Sequence, residues 1–433
     1  MAPDELASAV KDLPDRGGIA RGLGRSYGDP AQNAGGHVLR LTSQSDSISI
    51  DHDAGTVTVG GGVGLDDLLT VIVPRGWFVP VTPGTRFVTV GGAIASDIHG
   101  KNHHRDGSFG SHVTRLRVML ADTTVVELGP DPAPGNDHEL FWATVGGMGL
   151  TGIIVDATFR LIPIETSRMS VETRRIGDLD EIMARMTESD RDFRYSVAWI
   201  DLLATGRHLG RGVLTNGEHA RPDELDARQA AAPLAYDARQ LVTVPPIVPG
   251  AGVINRLTVA GFNEAWYRKA PRERQGEVQS IPAYFHPLDL VGAWNRVYGR
   301  SGFLQYQFVV PFGSENVLRT VIERISAARL PIFLTVLKRF GASNRGPLSF
   351  PMGGWTLAID VAPDRAGLAD LLRSLDTLVL DAGGRHYLAK DFHMTPADVR
   401  RGYPRLTEWQ ATRHRVDPTG VWVSDLSRRL ELI

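Results

Sequence analysis

Three glycine-rich stretches in the first third of the chain constrain its fold most. They are Arg21-Gly22-Leu23-Gly24-Arg25-Ser26-Tyr27-Gly28-Asp29, then Pro83-Gly84-Thr85 with Thr89-Val90-Gly91-Gly92-Ala93-Ile94-Ala95, then Ala143–Gly152. Each presents successive backbone N–H groups with little side chain over them, which is how an anion-binding nest is built. One such loop is ordinarily a turn. Three in one strand-rich region read as the cradle of a large phosphate-bearing cofactor. Between them the text is short apolar runs. Strands are expected at Val38–Leu41, Ser47–Ile50, Thr56–Val59, Val113–Leu120, Val125–Leu128 and Gly152–Leu161, with short helices at Leu65–Val73 and Asp137–Thr144.

From about Glu165 the texture changes. Helices expected at Leu179–Glu188, Glu315–Ala328, Arg365–Leu380 and Thr395–Arg401 alternate with strands such as Phe303–Val310 and Trp355–Val361, a pattern that suits a sheet covered on one face by helices. The fold class is therefore α+β. Leu241–Gly261, with VPPIVPGAG inside it, reads as a linker or mobile flap. The tail Gly402–Ile433 is amphipathic and is expected to dock back onto a core.

Several motifs fail on context. Gly24-Arg25-Ser26-Tyr27-Gly28 fits the nucleophile elbow, but Asp29-Pro30 and Gly35-Gly36 follow where the elbow needs a helix. Gly147-Met148-Gly149-Leu150-Thr151-Gly152 fits the dinucleotide fingerprint, but helix precedes and strand follows, the reverse of a Rossmann unit. His99-Gly100-Lys101-Asn102-His103-His104 carries no carboxylate at helical spacing, so no metal site is expected there. The chain has no cysteine, which excludes disulfides, thiolate catalysis and Cys-ligated metals. A net charge of −2 gives no electrostatic footprint for nucleic acid. No apolar run is long enough for a membrane span, and the acidic start shows no signal peptide, so a cytoplasmic or membrane-peripheral enzyme is expected.

The strings RGLGRSYGD, PGT followed by TVGGAIASDIHGKNHH, and ELFWATVGGMGLTGII resemble the flavin domain of the vanillyl-alcohol-oxidase-type FAD oxidoreductases. SIPAYFHPLD, GFLQYQFVVP, PLSFP, YLAKD and VDPTGVWVSDLSRRLEL narrow the resemblance, which runs from Gly17 to Ile433, to the decaprenylphosphoryl-β-D-ribose 2′-oxidase family. The resemblance implies an FAD-binding domain at 1–166, an antiparallel, helix-covered substrate domain at 167–384, and a segment at 385–433 returning to the FAD domain. It implies non-covalent FAD on Arg21, Gly22, Leu23, Gly24, Arg25, Ser26 and Tyr27 of the first loop, and on Gly84, Thr85, Thr89, Gly91, Gly92, Ala95 and Ser96 of the second. His99, Gly100, Asn102, Gly149, Ile153 and Tyr387 complete the implied cofactor site. Lys390, His99 and Tyr27 are implied as catalytic, and Lys101, Gln305, Gln307, Lys338 and Tyr387 as substrate-binding.

The implied reaction oxidises the ribose 2′-hydroxyl to a ketone, the first half of an epimerisation that supplies arabinose for cell-wall arabinan. A separate NAD-dependent keto-reductase is the implied partner, with peripheral membrane contact through the lipid substrate. The residues agree with this chemistry. Gln305 and Gln307 are two apart, so on a strand they share a face. Lys390 follows the apolar run Tyr387-Leu388-Ala389, and burial there would lower the pKa of a base. Lys338 and Arg339, or Lys101, can pair with a lipid phosphate. Two departures stand out: Ala358 occupies the place of a family cysteine, and the chain begins only about twenty residues before the first loop, where family members carry a further strand and helix. Two other readings are an alditol or sugar-lactone oxidase using O₂, and a catalytically dead FAD-binding scaffold.

Overall fold

The computed structural model describes residues 3–42, 47–246 and 252–433. Its smaller sheet has five antiparallel strands, ordered Ile48–Asp51, Thr56–Gly60, Ile153–Arg160, Val113–Met119, Val125–Leu128. Ahead of it a parallel pair, Gly18–Arg21 against His37–Arg40, leads into the first glycine loop. The strands expected in this region lie within one residue of those observed at each end. Their periodicity of two, with glycine at the ends, left little ambiguity.

The larger sheet has eight antiparallel strands, ordered Glu273–Ser280, Arg168–Ile176, Gly212–His219, Tyr195–Ile200, Thr335–Phe340, Gly354–Val361, Leu304–Pro311, Arg385–His386. Alternation sorts its side chains onto two faces. Ala198, Leu214, Tyr306, Phe308, Leu337, Leu357 and Ile359 pack into a core with the helices Leu179–Ser189, Glu315–Ala328 and Leu368–Asp381. Glu315–Ala328 supplies Leu318, Val321, Ile322 and Ile325 at three- and four-residue spacing, one apolar stripe. The residues between the core positions, Val197, Trp199, Gln305, Gln307, Val336, Lys338 and Ala358, point the other way and line a cavity.

The expected flap at Leu241–Gly261 needs correction. Val242–Thr243 pairs with Val291–Gly292, and a helix runs Arg256–Lys269. Asn255 starts that helix: its side-chain oxygen accepts the amides of Leu257 at 3.0 Å and Thr258 at 3.1 Å. Such a cap contributes about 1 kcal/mol, enough to offset the roughly 1 kcal/mol cost of Gly261 inside the helix. The centre of the proline-glycine run, residues 247–251, lies outside the described residues.

The tail docks as expected. Buried Trp409, on the helix Leu406–Val416, donates to Ala143 O at 2.9 Å beside the third glycine stretch. Arg429 pairs with Asp29 at 2.7 Å and Asp391 at 2.8 Å, tying the first loop to the segment that carries Lys390. No helix among the described residues is long and apolar enough to cross a membrane.

Candidate active site

A cavity of about 850 Å³ runs between the glycine loops and the uncovered face of the larger sheet. On the loop side, an added Cβ at Gly22 would lie 2.2 Å from Thr89 Oγ1, so the first and second glycine loops can touch only because Gly22 has no side chain. Thr89 in turn accepts the Gly92 amide at 3.1 Å and caps the short helix Val90–Ala95. Among the described residues the amides of Leu23, Gly24, Arg25, Ser26, Gly84 and Thr85 make no hydrogen bond to the chain. That leaves two runs of free donors along one wall, the chemistry a pyrophosphate requires. The residues therefore fit FAD.

The cavity wall includes Gly22, Leu23, Gly24, Arg25, Ser26, Tyr27, Gly84, Thr85, Thr89, Gly91, Gly92, Ala95, Ser96, His99, Gly100 and Gly149. Three expected cofactor residues lie off it. Asn102 is buried and committed to Pro80 O at 2.8 Å and Asp106 at 2.6 Å. Ile153 packs with Met119 and Trp422 behind the small sheet. Arg21 folds beneath Gly24 and reaches Ala31 O at 3.5 Å. The rejected motifs keep their contexts: bends follow Ser26, and Ile153–Arg160 follows the third loop as a strand. The three histidines of the second loop turn apart. His103 accepts the Gly341 amide and His104 faces Phe193 O, while His99 enters the cavity wall.

The opposite wall gathers every expected substrate residue: Lys101, Gln305, Gln307, Lys338 and Tyr387, with Lys390 beside them. Gln307 Nε2 donates to His99 Nε2 at 2.9 Å and to Thr356 Oγ1 at 3.2 Å. Burial, then the charges of Lys338, His103 and Lys390, hold His99 well below the usual histidine range, so it is neutral. With Nε2 accepting in this amide orientation, its proton sits on Nδ1, which has no partner. Tyr387 donates to Ser96 O at 2.8 Å and stacks on Phe350 with ring centroids 4.7 Å apart.

Three lysines converge here. Burial first, and Lys338 second, lower Lys101 to about 7. Its Nζ donates to Tyr284 O and lies 4.0 Å from the centroid of that ring. Burial lowers Lys338 to about 8. Lys390 is lowered by burial and by Lys338, and partly restored by Asp360. Its Nζ sits 4.1 Å from the centroid of the Tyr27 ring and makes no hydrogen bond or ion pair among the described residues. Tyr27 is pushed up by burial and by Asp360, so its phenol keeps its proton and can donate a hydrogen bond but not act as a base. As the free amine, Lys390, which no hydrogen bond among the described residues engages, can take a proton from a substrate hydroxyl, while Lys101 and Lys338 in their ammonium forms can hold an anion.

Sequence reasoning missed two parts of this site. Asp360 lies behind Gln305, accepting its Nε2 at 2.5 Å; the spacing from Ala358 would have placed it on the same face. An apolar arm of the cavity, made by Val197, Trp199, Val213, Phe262, Trp266 and Phe333, comes from segments far apart in the chain. Phe262 stacks on Trp266 and meets Phe333 edge-on.

Comparison with known proteins is consistent along the chain. Residues 2–129 match the FAD binding domain family and residues 302–430 the D-arabinono-1,4-lactone oxidase family. Decaprenylphosphoryl-beta-D-ribose oxidase of Mycolicibacterium smegmatis is 45% identical, covering 100% of this chain and 93% of its own. Alditol oxidase of a Streptomyces species is 25% identical over 99% of this chain and 93% of its own. L-gulono-1,4-lactone dehydrogenase of Mycobacterium tuberculosis is 22% identical over 98% and 93%.

Proposed function

The chain belongs to the decaprenylphosphoryl-β-D-ribose oxidase family of FAD-dependent oxidoreductases, and on that premise we propose that it oxidises the 2′-hydroxyl of decaprenylphosphoryl-β-D-ribose to a ketone. The observation that carries the substrate is the pairing of a lysine cluster with an apolar arm in one cavity. Lys338 acts on both Lys101 and Lys390, so the three amines lie together, and of these Asp360 acts on Lys390 alone. With Lys390 serving as the free amine, Lys101 and Lys338 in their ammonium forms supply the positive charge that suits a phosphodiester, and a free polyol would leave it uncompensated. The arm past Phe262, Trp266 and Phe333 accepts the start of a polyprenyl chain.

Bound FAD supplies the hydride acceptor. Lys101 and Lys338 hold the phosphate. Gln305 and Gln307, adjacent on one strand face, orient the ribose hydroxyls. Lys390 accepts the 2′-hydroxyl proton as the C2′ hydrogen leaves as hydride, and the ammonium it becomes lies against the Tyr27 ring face. The ketone released is the substrate of a separate NAD-dependent reductase, which returns hydride to the opposite face. Phe262 and Trp266 line the cavity and are also 45% and 46% exposed, as Leu241, Val242 and Leu257 are exposed nearby in the chain. We assign this apolar surface to peripheral membrane contact, where the lipid tail leaves the protein.

Anaerobic titration of the purified flavoprotein tests the assignment. Polyprenylphosphoryl ribose should bleach the flavin, whereas xylitol or L-gulono-1,4-lactone should leave it yellow. Bleaching by the polyol or lactone alone would establish the alditol or lactone oxidase reading instead.

A further inference from the structure

Asp360 is a carboxylate in an unusual place. It is fully buried on the strand Gly354–Val361, directly opposite Gln305 in the sheet register. One oxygen accepts Gln305 Nε2; the other, also buried, has no partner. A buried carboxylate oxygen left unpaired is strongly unfavourable unless the group is neutralised or a charge lies close by. The titratable and charged groups around it are Lys390, Tyr27 and Tyr298, with Lys338 acting on Lys390 and Lys390 in turn on the neutral His99. Asp391, next to Lys390 in the chain, is already engaged by Arg429.

We propose that Asp360 is a positioning residue of the oxidation: it fixes the Gln305 amide and, by its charge, decides whether Lys390 carries a proton. The proposal rests on the ribose-oxidase reading of the site. With Asp360 holding the Nε2 end of Gln305, the amide oxygen is the end left for a sugar hydroxyl. Asp360 and Lys390 make no ion pair, so each acts on the other through its field. When Asp360 is ionised, its field favours the ammonium form of Lys390. When Asp360 takes the proton, Lys390 becomes a free amine and can accept the substrate's hydroxyl proton. The substrate's O–H and C2′–H bonds break, an N–H bond forms on Lys390 and the C2′–O bond becomes a carbonyl; FAD, when bound, would supply the hydride acceptor. Burial pushes the Asp360 carboxyl up and the Lys390 amine down, which brings the two proton affinities together.

Asp360→Asn keeps an acceptor for Gln305 and removes the charge; Asp360→Ala removes both. The reactivity of Lys390 toward a small acylating reagent, followed by peptide mass across pH, reads its protonation without turnover. In FAD-loaded Asp360→Asn the half-labelling pH should fall by roughly one unit, the size expected for loss of a nearby opposite charge. The acid limb of substrate-driven flavin reduction should move by the same amount with little change in substrate affinity. Asp360→Ala should show that shift and bind substrate several-fold more weakly. A labelling profile unchanged in Asp360→Asn overturns the proposal. Should the Asp360 variants fail to fold, infrared titration decides it: the buried carboxyl band must titrate at higher pH in Lys390→Met than in the unaltered protein, and coincident curves overturn it. If the unaltered protein is not reduced by polyprenylphosphoryl ribose, that failure belongs to the substrate assignment, and labelling still tests Asp360.

Discussion

Replacing Lys390 by Met removes the amine and keeps most of the stem that packs beside Tyr27. A positioned base contributes roughly 10²–10⁴ in rate, about 3–5 kcal/mol of barrier. Lys390→Met should therefore bind FAD normally and lose flavin reduction by that factor, measured anaerobically by stopped-flow bleaching with polyprenylphosphoryl ribose. In the unaltered protein the rate should rise with pH as the ammonium loses its proton, and burial places that limb below the ordinary lysine range. The variant should lack the limb. Stability should move in the opposite sense. The folded chain releases the Lys390 proton at lower pH than the unfolded chain does. Between those two pKa values the unfolded state binds more protons, so stability rises with pH. Lys390→Met escapes the cost of burying the ammonium, so it should melt higher at neutral pH. The gap should close as pH approaches the ordinary lysine value. Flavin reduction within a few-fold of the unaltered rate would refute the assignment of the base, and a variant isolated without FAD would make Lys390 a cofactor residue.

Acid precipitation should release yellow FAD to the supernatant, because the chain has no cysteine to link it and the first loop carries no histidine; flavin in the pellet would point to His99. Gly22→Ala drives a methyl group into Thr89 Oγ1. Overpacking of about 1–3 kcal/mol should weaken FAD retention about five- to 150-fold, read from the ratio of flavin to protein absorbance, and full occupancy would show that the two loops part freely. Ala358→Cys places one thiol on the cavity wall, so intact mass should show a single adduct with a nitroso-aromatic electrophile and none without the substitution. Absence of an adduct in Ala358→Cys would move that strand away from the flavin.

Local signals were legible where they were periodic. Gln305 and Gln307 shared a face by spacing alone, and the strand Leu304–Pro311 presents both to the cavity. Glu315–Ala328 was read with its observed limits because its apolar stripe is unbroken. Asn102 looked like its neighbours His99 and Lys101, yet the chain turns after Lys101 and sends the amide inward to Pro80. Spacing inside an irregular loop carries no facing information. The helix Arg256–Lys269 hid behind a proline-glycine run, since Asn255 is a weak signal until the helix it caps is known. The spacing from Ala358 put Asp360 on the right face, but its partner was hidden for another reason: the pairing with Gln305 lies in the cross-strand register, and register is set by the sheet as a whole.

The anchoring of the first glycine loop by the tail orders events in time. Tyr27 donates its amide to Ala389 O, a Cβ at Gly28 would lie 2.3 Å from Asp391 O, and Arg429 bridges Asp29 to Asp391. The residues that close the pyrophosphate cradle are thus separated from it by more than 350 positions of chain (Asp29 to Arg429 spans 400). During synthesis, the N-terminal loops emerge long before the partners that hold them. Cofactor capture must wait for nearly the whole chain, and a protein cut short near residue 388 would be left with loops but no grip on the flavin.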